Sequence, residues 1–342
     1  MVKAKTEKIT LDNFGSYLGM EKGCYIIKHE NGNIERYPQF ENQIGEVILK
    51  SGNTVSVGAL ASFGFWDIDV LIMTNRGRPV AMLKSINSDS GVETRICQID
   101  AYRDSKRAIE IAKTFVYAKL QGQQQILLKH GLQPHDLDRA KRMIDSILSN
   151  DLGSARRRLI HVEGEHSKHY FQQIFQLFPF RPLTRKGFMA WDGTNNIFNL
   201  AYEILSWKIH KALIKANLEA YLGFLHCQMP ERASLVCDFE ELYRHLIDDF
   251  LISYCQHLHK RDFTVKTVEV NRKHGKREFL NNIKTADLLR CLEQYFQFHV
   301  KIPRIRRGFK QELETLINEE AILFSCYLRN KRKEWIPRIA IT

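Results

Sequence analysis

Four side chains in the later part of this sequence could do chemistry together. Asp238 and Glu241 stand three apart in SLVCDFEELYRHL, a spacing that puts both carboxylates on one face of a helix. His226 closes the run AYLGFLH, and Glu163 lies in RRLIHVEGEHSKHYF between Val162 and Gly164. Carboxylates with one imidazole form a donor set for a hard divalent cation. The plainer reading makes Asp238 the N-cap of a helix with an acidic first turn. Its flank SLVC is apolar, however, and a carboxylate there needs a cation or hydrogen-bond donors. Glu163, with Ile160 and Tyr170 at helical offsets, points to the apolar side, where an unpaired glutamate is costly. Glu165 points elsewhere and reads as solvated. A single histidine after an apolar run is usually a hydrogen-bonded core residue, so His226 counts only in combination. Zinc is a rival for the same stretch, since His166 and His169 are three apart with His161 and Glu165 nearby. That HxxH has no further spaced partner, and HExxH is absent.

The elements that must position these groups fall in two parts. Residues 20–85 read as strands rich in Val, Ile and Phe, with turns at Asn31-Gly32-Asn33, Ser51-Gly52-Asn53 and Asn75-Arg76-Gly77. Ser85 to Glu93 is polar and reads as a linker. Beyond it the period turns helical. CQIDAYRDSKRAIEIAKTFVYAKLQGQQQILLKHG, PHDLDRAKRMIDSILSN, GSARRRLIHVEGEHSKHYFQQIFQLF and NNIFNLAYEILSWKIHKALIKA each predict a helix, with later ones near Asp238, Thr285 and Phe309. The expected fold is α+β in two domains. An N-terminal antiparallel β domain, 1–92, precedes a larger all-α domain, 93–342.

The bulk properties point to a polyanionic partner. The 342 residues carry a formal net charge of +12. Met1 to Arg95 holds as many acidic as basic residues, so the excess lies in the second part. Arg156-Arg157-Arg158, Arg185-Lys186, Lys301–Lys310 with Arg306 and Arg307, and Arg329–Arg338 with Lys331 and Arg332 are the basic runs expected to meet nucleic acid. Seven cysteines without a CxxC argue against a disulfide framework and fit a reducing cytoplasm. The N-terminal stretch has no apolar signal core, and the longest apolar run carries Glu203, Lys208, His210 and Lys211, so it reads as a buried helix rather than a membrane span.

The stretches HVEGEHSKHYF, WDGTNNIFNLAYEIL, NLEAYLGFLH and SLVCDFEELYRHLIDD, in this order, closely resemble the CRISPR-associated adaptation integrases, the universal first-numbered Cas nuclease family. The resemblance implies that Glu163, His226 and Glu241 ligate Mg²⁺ or Mn²⁺, with Asp238 close to the metal and counted among the catalytic residues. Arg244 and Asp249 would be scaffolding ion-pair residues, Tyr202 would lie near DNA, and Asp192 and Asn195 also fall on motif positions. It implies spacer insertion by attack of a 3′ hydroxyl on a phosphodiester. It also implies double-stranded and branched DNA as substrates, a homodimer joined through the β domains, and a small ferredoxin-like partner, the second-numbered adaptation protein. Asn217, Glu219-Ala220, His245 and the run Phe198–Ala201 depart from the family pattern without removing a ligand. A DNA-binding adaptor with a structural acidic cluster and a branched-DNA repair nuclease of another class are the alternatives.

Overall fold

The computed structural model of the protein describes residues 7–39, 44–74, 79–84, 90–187, 190–227, 232–270, 273–303 and 308–341. The chain divides into two compact units, Met1–Asp89 and Ser90–Thr342.

The first unit contains β1 (Glu7–Leu11), β2 (Tyr17–Glu21), β3 (Cys24–Lys28), β4 (Ile34–Pro38), β5 (Ile44–Lys50), β6 (Thr54–Val55), α1 (Val57–Phe65), β7 (Asp69–Met73) and β8 (Pro79–Leu83). They form two four-stranded sheets, in the orders β1-β5-β7-β8 and β4-β3-β2-β6. Strands therefore begin well before residue 20. The expected all-antiparallel pairing also needs refinement: β1–β5, β5–β7 and β2–β6 are parallel, whereas β2–β3, β3–β4 and β7–β8 are antiparallel. Asn31-Gly32-Asn33 does close the β3–β4 hairpin, with Gly32 at φ +85°. Ser51-Gly52-Asn53 instead carries the chain from one sheet to the other. Turn residues encode a reversal of direction and not the identity of the next partner. Asn75-Arg76-Gly77 lies outside the described residues. Helix α1 replaces an expected strand, because Ser56 caps it by accepting from the Ala59 amide at 3.2 Å. Ile9, Leu18, Val47, Phe63 and Val70 bury the inner faces, and Tyr25 stacks on Phe63.

The second unit carries α2 (Ser90–Arg103), α3 (Ser105–Lys129), α4 (Leu137–Asp145), α5 (Leu152–Ile174), α6 (Gly193–Lys215), α7 (Ser234–Glu240) and α8 (Arg244–Cys255). These are followed by β9 (Phe263–Val270), β10 (Lys273–Leu280), α9 (Asn282–Phe296), β11 (His299–Ile302), β12 (Phe309–Glu312) and α10 (Leu313–Leu328). Helix α2 starts inside the stretch read as a linker. The single helix expected from Cys97 onward is two, divided at Asp104, whose carboxylate accepts from the Arg107 amide and so starts α3. The helix expected near Phe309 begins at Leu313, since Phe309–Glu312 pairs with β11. The β9–β10 hairpin also adds strands to a domain read as all-helical.

The core of this unit is aromatic and continuous. Phe115, Phe239, Phe324 and Trp335 meet from α3, α7, α10 and the tail, edge-on or tilted except for Phe239, which stacks on Trp335. Side chains of this size bring large apolar areas out of water and fix the helices at close distance. That rigidity holds the polar groups described next. Among the described residues, no helix is long and apolar enough to cross a membrane.

Candidate active site

Asp238 is not a helix cap. Helix α7 starts at Ser234, after Ala233, and Asp238 lies inside it with no exposed surface. Its carboxylate accepts backbone amides of Phe224 (2.6 Å), Leu225 (3.0 Å) and His226 (2.8 Å). It also accepts the imidazole Nδ1–H of His226 at 2.8 Å. One buried carboxylate thus organises the whole AYLGFLH loop. The loop must approach α7 closely, and Gly223 permits it, because a Cβ there would meet the Ser234 carbonyl carbon at 2.6 Å. Arg156 closes the loop from the other side. Expected at a DNA surface, it is instead 6% exposed, donating to the carbonyls of Gly223 (2.6 Å) and Phe224 (2.7 Å). A guanidinium spent on buried carbonyls cannot also reach a phosphate, so Arg156 leaves the set of surface contacts.

With Nδ1 fixed on Asp238, His226 turns Nε2 toward Glu241, whose Oε1 is 3.9 Å away. This arrangement, carboxylate to imidazole to site, sets tautomer and orientation together. Glu241 stands at the C-terminal end of α7 and Glu163 in the middle of α5. Between them is a residue that the motifs alone do not single out. Lys119, from α3, pairs its ammonium with Glu163 and lies 2.7 Å from Glu241 Oε2. Arg244 completes the charge pattern, donating to Glu241 Oε1 at 2.6 Å and to Glu240. Burial alone would raise the Glu241 carboxyl, but Arg244, Lys119 and His226 outweigh it and bring it down to about 2. Lys119 is likewise opposed by burial yet raised by Glu241 and Glu163.

These groups border a cavity of 510 Å³ lined by Lys119, Glu163, Arg185, Tyr202, Glu241 and Arg244, among others. His226 and Asp238 do not line it; His226 stands behind Glu241, and Asp238 behind His226. Ser167, one turn after Glu163, donates to Glu163 at 2.7 Å and receives Gln123 at 3.2 Å. Asp248 also borders the cavity and accepts the hydroxyls of Tyr170 (2.8 Å) and Tyr202. Tyr202 sits between two guanidinium groups, Arg185 at 5.2 Å and Arg244 at 5.0 Å from its ring centroid.

The other expected residues separate into distinct surroundings. Asp249 pairs with Lys129 (2.7 Å) and His130 (2.8 Å) at the end of α3, a contact that docks α8. Asp192 caps α6 by accepting the Asn195 amide at 2.8 Å, and Asn195 in turn accepts from the Lys186 amide at 2.9 Å. Together they hold the loop that puts Arg185 at the cavity. Lys186, Arg157, Lys331 and Arg332 are exposed, and so is Glu165. Arg306 and Arg307 lie outside the described residues. His166 and His169 face His135, which burial and those two neighbours push down to about 4.

Lys119 was legible in principle. Along α3 the buried face runs Ala112, Phe115, Val116, Lys119, Gln123 and Ile126, and two polar residues on an apolar stripe mark a partner across the interface. Asp248 gave no such sign, since Asp249 beside it is the same residue type.

Among the described residues, no three His, Cys, Asp or Glu side chains stand close enough to clasp an ion as they are, and the Lys119 ammonium lies between the two glutamates. The donor set nonetheless fits a hard divalent cation. It offers two carboxylates and an imidazole of fixed tautomer, and Glu241 Oε2 is buried with a displaceable ammonium as its neighbour at 2.7 Å.

A strand-rich first part followed by a helical unit with a carboxylate–imidazole site defines the class. The family model described as CRISPR associated protein Cas1 matches residues 9–285. A relative from Archaeoglobus fulgidus, named CRISPR-associated endonuclease Cas1 1, is 32% identical over 276 residues, 73% of this chain and 79% of its own length. In solved structures, a chain of a partial Cas6-RT-Cas1–Cas2 complex matches with a TM-score of 0.70 at 20% identity, covering 97% of this chain and 98% of that one. A casposase bound to integration product matches with a TM-score of 0.67 at 18% identity, covering 96% of this chain and 97% of its own. The chain belongs to the Cas1 family of CRISPR-associated proteins.

Proposed function

We propose that this protein is a metal-dependent DNA integrase and endonuclease of CRISPR adaptation, which inserts short DNA segments into a repeat array. The observation that carries the reading is the meeting of Glu163 and Glu241 beside one cavity rimmed by arginine, with His226 Nε2 3.9 Å from Glu241 behind them. The relative's name, an endonuclease, and the casposase neighbour held with an integration product support it.

In the reaction, a 3′ oxygen forms a bond to phosphorus as another 3′ oxygen leaves, so no protein nucleophile is needed. Mg²⁺ or Mn²⁺ held by Glu163, His226 and Glu241 would supply the charge neutralisation that such a transition state requires. The chain's own residues do the positioning. Asp238 fixes the His226 tautomer, Ser167 orients Glu163, and Arg244 orients Glu241. Arg185, held by Asn195 (3.2 Å) and Asn199 (2.7 Å), presents a fixed cation at the cavity where a phosphate would enter. Exposed Arg157, Lys186, Lys331 and Arg332 would take the backbone of double-stranded or branched DNA.

The complex neighbour supports a partnership with the second-numbered, ferredoxin-like adaptation protein. A homodimer joined through the first unit, acting in the cytoplasm, completes the reading. A non-catalytic DNA-binding adaptor is favoured by one observation, that Lys119 already pairs with both carboxylates.

Strand transfer in Mn²⁺ separates the two. Glu163→Ala, His226→Ala and Glu241→Ala should each lower it by more than ~100-fold, since removal of a supporting partner alone costs about 10–100-fold, while DNA retention on a gel persists. Full activity in all three variants would sink the enzymatic reading.

A further inference from the structure

Burying an ammonium in the middle of a packed helix face is costly, and an aliphatic side chain would serve packing between α3 and α5 at least as well. Lys119 is 8% exposed and spends its charge on Glu163 and Glu241. We infer that Lys119 is the site's built-in counter-cation: it holds the two carboxylates together in the metal-free protein, and a divalent ion reaches them by displacing its ammonium into the cavity. The inference rests on the reading of Glu163, His226 and Glu241 as ligands.

The charges around the site support displacement over coexistence. Glu163, Glu240 and Glu241 face the fixed cations Lys119 and Arg244. A divalent ion placed between Glu163 and Glu241 would meet the ammonium as a like charge at close range, since Lys119 already contacts one oxygen of each. Arg244 cannot yield, because it is forked between Glu240 and Glu241. Lys119 can. Its stem is flexible, its contact with Glu241 Oε2 is an ion pair at 2.7 Å, and the 510 Å³ cavity opens beside it. There the displaced ammonium faces the space proposed for the phosphate. Metal and DNA would therefore assist each other: the ion releases the ammonium, and a phosphate receives it. Such a coupling is reciprocal, so DNA must raise the affinity for metal by the factor that metal raises the affinity for DNA.

Mn²⁺ binding followed by the electron paramagnetic resonance of the free ion tests this without any turnover. Lys119→Met should bind Mn²⁺ at least tenfold more tightly than the wild type and melt at lower temperature in EDTA. Lys119→Arg should melt near the wild type in EDTA but bind Mn²⁺ more weakly, because a guanidinium forked between the two glutamates yields less readily. A DNA duplex should tighten Mn²⁺ binding to the wild type and have less effect on Lys119→Met. Unchanged Mn²⁺ affinity in Lys119→Met, with Glu163→Gln no longer holding the ion, overturns the role of Lys119 and leaves the ligand assignment standing. Retention of the ion by Glu163→Gln overturns the ligand assignment instead. Should Lys119→Met fail to fold, Mg²⁺ titration of wild-type protein labelled with ¹⁵N-lysine gives the answer. The Lys119 Nζ resonance should shift or vanish as the ion binds, and a resonance that does not move rejects displacement.

Discussion

Glu241 and Asp248 are seven residues apart, line one cavity and are 3% and 2% exposed, yet their carboxyls are driven in opposite directions. Burial raises both. For Asp248 burial wins over the Tyr202 and Tyr170 hydroxyls and the smaller pull of Arg185 and Arg244, and takes the carboxyl up to about 6. For Glu241 the cations Arg244, Lys119 and His226 overcome burial and take it down to about 2. Position in the fold is the same, and the partners decide. Hydroxyl donors and cations that make no direct contact weakly favour the charged form, whereas cations in direct contact strongly demand it. The protein thus keeps one carboxylate ionised down to low pH beside the cations and another, a short distance away, that takes up its proton in mildly acidic solution.

The contrast fixes the pH dependence of each group. Glu241, depressed in the fold, adds stability above the ordinary glutamate range, and that stability is removed as pH falls toward about 2. Asp248, raised in the fold, adds stability only at low pH, and the benefit disappears as pH rises through about 6.

Removing the cation side of the comparison has the largest expected effect. Arg244→Met leaves Glu240 and Glu241 short of a partner and should cost about 3–5 kcal/mol in urea unfolding at pH 7, the range for breaking a buried ion pair. A cost below about 1 kcal/mol, as for an exposed pair, would mean that Lys119 and His226 suffice for Glu241.

On the neutral side, Asp248→Asn keeps an acceptor for one tyrosine and a donor for the other. It should gain stability over the wild type at pH 8 relative to pH 5, by about 1–1.5 kcal/mol, the part of the Asp248 shift that lies above pH 5. An Asp248→Asn variant less stable than the wild type at pH 8 would falsify the view that its charge is a burden there.

Smaller effects belong to the surface. Neutralising Lys331, Arg332 and Lys333 should lower the salt slope of DNA binding by up to ~0.9 for each phosphate that the protein ceases to neutralise. An unchanged slope would make that run a solvated face only. Glu165→Ala, two residues from Glu163 but exposed, should change stability by less than about 0.5 kcal/mol and leave strand transfer intact. An inactive Glu165→Ala would move the ligand from Glu163.

Much of this was legible from residue order. Helix periodicity located α3, α5 and α6, and carboxylates on apolar flanks singled out Glu163 and Asp238. The alternation of FTVKTVEV was equally plain evidence for β9, but it stands in a stretch that otherwise reads as helical. Arg156 shows the opposite failure. Inside Arg156-Arg157-Arg158, only helical phase distinguishes the buried arginine from its exposed neighbours.

The sequence by itself determined the family, the two-part order of strands then helices, and the residue types that could bind a cation. It could do so because these depend on local period and on a few short motifs. Only the tertiary structure decided that Lys119 stands between Glu163 and Glu241, that Asp238 organises the His226 loop, and that Asp248 rather than Asp249 lines the cavity. Each of these is a contact between segments distant in the chain, set by how helices pack, and no local pattern carries that distance.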